Sequence, residues 1–106
     1  MNVSVEQEWS GEYMVKIHDD AIEVNVPGAG EQLLLLRGIR DAQWEDRGSI
    51  RFGTSAGSPV YWCSGDGDAT MMIGHDEETW DIAVTMPLAV VDDIVREVTA
   101  AIEGTT

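Results

Sequence analysis

Val3, Val5, Gln7 and Trp9 alternate with Ser4, Glu6 and Glu8. A repeat of two sends successive side chains to opposite faces, so the segment predicts a half-buried strand. Ser10-Gly11 turns the chain. Tyr13, Val15 and Ile17 against Met14, Lys16 and His18 predict a second strand, Asp19-Asp20 a tight turn, and Ile22, Val24 and Val26 a third. Links this short join antiparallel neighbours, so the three form a meander. Pro27-Gly28-Ala29-Gly30 breaks the alternation. From Glu31 to Arg40, four consecutive leucines fit helix or strand. A short helix packing Leu33, Leu36 and the stem of Arg40 is the preferred reading. Asp41 to Gly48 reads as a polar loop around Trp44.

The second half returns to strands. Ser49-Ile50-Arg51-Phe52 leads into Gly53-Thr54-Ser55-Ala56-Gly57-Ser58, a composition suited to a hairpin loop. Pro59-Val60-Tyr61-Trp62-Cys63 pairs back, with Pro59 at the start of the strand, where its missing N–H does no harm. Ser64-Gly65-Asp66-Gly67-Asp68 is the next turn. Ala69–Ile73 and Thr79–Thr85 are two more strands, joined through His75-Asp76-Glu77-Glu78. Pro87 suits a first helical position. Leu88, Val91, Ile94 or Val95, Val98 and Ile102 then recur at helical spacing, with Asp92 and Asp93 in the early turns and Gly104 as the stop. The expected fold is α+β: a mostly antiparallel sheet of six to seven strands with a C-terminal helix packed on one face. Residues 1–106 form a single domain, and only the tail Gly104-Thr105-Thr106 looks loose.

Charge changes the picture. The chain has 20 Asp+Glu against 6 Lys+Arg, net −14 in 106 residues, and between Arg51 and Arg96 no Lys or Arg occurs. A folded domain of this mass exposes roughly 5,800 Å², or about 400 Å² per net charge. Evenly spread charges would stand roughly 20 Å apart, beyond the ~8 Å Debye length at physiological salt. Repulsion therefore becomes serious where acids cluster. Nucleic acid is not an expected partner, because phosphate binding needs a basic face. The longest aliphatic run, Leu33 to Leu36, is too short to span a bilayer, so no membrane association is expected. Cys63 is the only cysteine, which excludes an intrachain disulfide, and Met1-Asn2-Val3-Ser4-Val5-Glu6 shows neither a basic nor an apolar leader region. A cytoplasmic location is the expectation. Cys63 follows Val60-Tyr61-Trp62 in a strand and reads as a buried, inert thiol.

Chemistry finds little purchase. His75-Asp76-Glu77-Glu78 with His18-Asp19-Asp20 contains ligand types for a divalent metal, but the spacing matches no established motif and both clusters fall in turns. Asp66-Gly67-Asp68 has too few ligands for a calcium loop. Gly28-Ala29-Gly30 lacks a following basic residue for phosphate. A triad built from Ser58 or Ser64, His75 and an Asp would be an arbitrary choice. Neither an enzyme nor a cofactor is expected. Of the four tryptophans, Trp9 and Trp62 fit core positions. Trp44 stands beside Glu45 and Asp46, and Trp80 beside Glu77, Glu78 and Asp81, in segments that read as exposed. A Trp ringed by acids has the composition of an interface hot spot for a basic partner. Asp76, Glu77, Glu78 and Trp80, together with Asp66 and Asp68, are the expected contact residues. Trp44, Glu45 and Asp46 form a second patch.

Gly48-Ser49-Ile50-Arg51-Phe52, Pro59-Val60-Tyr61-Trp62, the acidic turn and strand Thr79–Val84, and Met86-Pro87-Leu88 running into the Val90–Glu103 helix carry a resemblance. In this half the chain resembles the immunity proteins of bacterial polymorphic toxin systems, in particular the small α+β family encoded beside deaminase toxins. A further segment past the helix is usual in that family, whereas here the chain stops at Thr106. The resemblance implies a cytoplasmic protein that plugs the basic cleft of a cognate nuclease or deaminase toxin, with no catalytic residue of its own. A homodimer stays open. The rival reading is a small acidic interaction, assembly or chaperone subunit from a salt-adapted organism, whose acidity would be spread over all faces. A third is a metal-dependent enzyme using His18 and His75.

Overall fold

The computed structural model describes residues 1–8, 11–76 and 79–104. Trp9, expected in the core, lies outside them. The N-terminal alternation forms β1 (Asn2–Gln7), β2 (Tyr13–His18) and β3 (Glu23–Gly28), an antiparallel meander with β2 in the centre. Asp19 closes the β2–β3 turn, its Oδ1 accepting from the Ala21 and Ile22 N–H groups at 2.8 and 3.1 Å. Those donors hold the Asp19 carboxyl below its ordinary pKa. The strand continues through Pro27 instead of breaking there. Because β3 is an edge strand, the absent N–H costs no ladder bond.

The leucine run is helical. A single α-turn, α1 (Gly30–Leu33), tightens into a 3₁₀ segment at 34–41. Leu33, Leu36 and Ile39 are buried, and their spacing of three matches the 3₁₀ period. Arg40 differs from expectation. Its stem is exposed, and its guanidinium makes a bidentate pair with Asp92 at 2.8 and 2.9 Å.

The strands of the second half are β4 (Ile50–Ser55), β5 (Ser58–Gly65), β6 (Asp68–Gly74) and β7 (Trp80–Pro87), an antiparallel sheet in that order. The hairpins are tighter than the composition predicts. Ala56-Gly57 and Asp66-Gly67 are the turn residues, each pair with φ positive at both positions (51° and 83°, 54° and 83°). That is the type I′ arrangement, whose twist matches the flanking strands. Pro87 ends β7, and the last helix α2 (Leu88–Gly104) begins one residue later than expected.

The strands thus divide into sheets of three and four. They meet where β3 passes β4, and glycine permits that approach. A Cβ on Gly28 would lie 2.5 Å from the Phe52 ring, and one on Gly53 2.4 Å from Val26 Cγ1. Inward side chains of both sheets, α1, the 3₁₀ segment and Val90, Val91, Ile94 and Val98 of α2 make one core. Phe52 stacks on Trp62 there (6.1 Å, 20°), and Trp62 Nε1–H donates to the Phe52 carbonyl at 3.2 Å. α2 packs chiefly on β1 and the 3₁₀ segment, on the core side of the sheets.

Candidate partner interface

Alternation along β5 sends Val60 and Trp62 into the core and Tyr61 and Cys63 to the outer face. The register lines up Arg51, Tyr61, Met72 and Ala83 in one cross-strand row and Cys63, Thr70 and Thr85 in the next. Apolar side chains on a solvent face need cover, and the segment after the 3₁₀ segment supplies it. Ser64 N–H donates to the Ala42 carbonyl at 2.8 Å, and Gln43 bridges to Ser64. A 3₁₀ turn at Trp44–Asp46 then lays Trp44 on Tyr61, Cys63 and Met72. Burial pushes the Cys63 thiol pKa up, as desolvation disfavours a thiolate.

Trp80 reaches the same face through a β-bulge. Ile73 pairs with Ile82 but Gly74 with Trp80, so β7 carries an extra residue there. Only glycine fits at position 74, where a Cβ would lie 2.3 Å from Trp80 Cα. Asp76 Oδ1 accepts from Thr79 N–H at 2.8 Å, next to the start of β7. The Trp80 and Trp44 rings consequently meet edge to face, centroids 5.6 Å apart and planes at 86°. Trp80 of the first expected patch and Trp44 of the second are thus in contact.

The indoles wall a groove of about 330 Å³. Met72, Thr70, Ala83 and Thr85 line it, with Asp66 and Asp68 also at its margin. Thr70 and Thr85 hydroxyls share a hydrogen bond at 3.2 Å. Trp44 also borders an adjoining depression of about 580 Å³, lined by Glu45, Asp66 and Arg40 among others. Asp46 is exposed and lines neither hollow. Glu77 and Glu78 lie outside the described residues. Thr70, Met72 and Thr85 were not singled out by the sequence reading, although the period-two rule places all three on this face.

Potential on this sheet is set by missing cations more than by gathered acids. Acids occur on both sheets, including Asp19, Asp20 and Glu23 at the β2–β3 turn. The cations lie elsewhere than β5, β6 and β7: Lys16 on β2, Arg37 and Arg40 on the 3₁₀ segment, Arg47, Arg51 on β4 and Arg96 on α2. Lys16, Arg40 and Arg96 are paired with Glu6, Asp92 and Asp93. Arg47 stands over the Trp44 ring at 5.0 Å, and Arg51 over Tyr61 at 6.0 Å. His18 ends β2 of one sheet and His75 follows β6 of the other, and among the described residues no three His, Cys, Asp or Glu side chains converge as a metal site would need. Among the same residues no helix is long and apolar enough to cross a membrane. No family model, curated protein or solved structure matches the chain.

Proposed function

We propose that the protein is a cytoplasmic immunity protein that binds and blocks a cognate basic toxin of nuclease or deaminase type, using the outer face of the four-stranded sheet. The observation that carries this reading is the meeting of two partly exposed indoles, Trp44 from the 3₁₀ turn and Trp80 from β7, beside a groove bordered by Asp66 and Asp68 and lined by no Lys or Arg. Aromatic anchors at the centre of a contact supply residence time. A negative surround speeds encounter with a cationic surface and repels nucleic acid that competes for it. A contact of about 800 Å² is standard for such inhibitors, a modest part of the 6065 Å² surface. No residue of the chain needs to perform chemistry.

The test is co-expression with the product of the adjacent gene. A stable complex and suppressed toxicity, both lost on combining Trp44→Ala with Trp80→Ala, support the proposal; full protection by that variant sinks it. The runner-up is an acidic assembly or chaperone subunit from a salt-adapted organism. It draws support from the acids at the β2–β3 turn, far in the topology from the indoles. Folding that requires molar salt would favour it.

A further inference from the structure

We infer that the groove between Trp44 and Trp80 is the seat of one arginine side chain from the protein partner; the occupant's origin rests on the proposal that this partner is a basic protein. Three features of the groove select that chemistry. Its walls are two indoles at right angles, and a guanidinium stacks on indole faces. Its floor changes character along β6. Met72, Thr70 and Asp68 project on the same side of the strand at intervals of about 7 Å. They run from thioether to hydroxyl to carboxylate, and all three line the groove. An alkyl stem laid over Met72 and Ala83 brings its head to the Thr70–Thr85 hydroxyl pair, with the Asp66 and Asp68 carboxylates beyond. Finally, the polar side chains at that end have acceptor capacity to offer, and no Lys or Arg lines the groove. The paired hydroxyls keep lone pairs free, and the two carboxylates only accept.

Five donors in a planar fork suit this spread of acceptors better than an ammonium does, and the guanidinium is the more weakly hydrated of the two. A second copy of this chain is a poor occupant, since each copy brings a net charge of −14. Arg47 already stacks on Trp44 within the molecule yet does not line the groove, so the indole accepts a guanidinium while the groove stays open.

The experiment titrates the intact protein with a capped Gly-Arg-Gly peptide while following indole N–H resonances. Trp44 and Trp80 should shift. Trp62, whose Nε1–H is buried against the Phe52 carbonyl, should not and serves as the internal control. The lysine peptide should bind more weakly and the citrulline peptide, which keeps the shape and loses the charge, hardly at all. Asp66→Asn with Asp68→Asn should weaken arginine binding by about two- to fivefold or more, as should Trp80→Ala. Asp20→Asn with Glu23→Gln makes the same change in net charge at the distant turn and should leave it unchanged. Equal binding of arginine and citrulline peptides, or equal effects of the two double variants, would overturn the inference. So would the absence of any shift at Trp44 and Trp80. A peptide that seats as described while the adjacent gene's product stays active removes the toxin role and leaves the groove. Protection from the toxin without any indole response to the peptide does the reverse.

Discussion

Replacing Gly74 by alanine tests how Trp80 is placed. The added Cβ would lie 2.3 Å from Trp80 Cα, 2.6 Å from the Thr79 carbonyl oxygen and 3.0 Å from Asp81 N. All three neighbours are backbone, so no side chain can swing aside. Ordinary contact starts near 3.4 Å, and β7 must retreat by roughly 1 Å, opening the β6–β7 ladder at its bulge. Overpacking of this kind costs about 1–3 kcal/mol, which lowers Tm by about 4 °C or more per kcal/mol in a domain this small. Gly65→Ala on β5 is the control. Its φ is not positive and its Cβ would meet nothing within 4 Å. Restricting the unfolded chain should leave it as stable as the parent, or about 0.4–1 kcal/mol more so. Denaturant unfolding gives the stabilities, and circular dichroism follows the Trp44–Trp80 ring coupling. Loss of stability and of the coupling in Gly74→Ala alone is the expected result. If the two variants behave alike, the bulge does not hold Trp80 where the account requires.

Trp44→Ala should uncover Cys63 and speed its alkylation by a neutral reagent, read as loss of free thiol with time. It should cost about 1–2 kcal/mol, less than the 3–5 kcal/mol of a fully buried tryptophan, because the ring is only partly buried. Trp62→Phe keeps most of the core volume but strands the Phe52 carbonyl. The expected loss is about 1–3 kcal/mol in denaturant unfolding. Asp92 gives a pH signature. Hydrogen bonding to Arg40 holds its folded-state pKa below the ordinary carboxylate value. The pair's contribution is therefore complete above the unfolded pKa of about 3.9 and is lost as pH falls through the lower folded value. Asp92→Asn should reduce stability at neutral pH, and its deficit against the parent should shrink in acid, seen in urea midpoints across that range.

Strand positions were legible because they depend on near neighbours. Val15 and Ile17, or Val24 and Val26, declare a buried face by alternation alone. The 3₁₀ segment left a trace in the threefold spacing of Leu33, Leu36 and Ile39, obscured by Leu34 and Leu35 between them. Division into two sheets was not legible, since it turns on Gly28 and Gly53 letting β3 and β4 approach without pairing. The candidate site was half legible. Composition marked Trp44 and Trp80 as partly exposed, but as separate patches. Their contact depends on a bulge at Gly74 and on a loop tied to Ser64, both long-range events without a local pattern. The acidity of the chain was plain from its residues. That β5, β6 and β7 lack Lys and Arg was equally plain, whereas the sharing of an outer face by Tyr61, Cys63 and Met72 required the register.

The most direct test is amide hydrogen exchange on the complex with the adjacent gene's product, against the free protein. The account predicts added protection confined to the Trp44–Arg47 turn and to the β5–β6 and β7 residues bordering the groove, with the β2–β3 turn unchanged. Protection centred on that turn or on α2, with the indole-bearing segments exchanging as before, would contradict it.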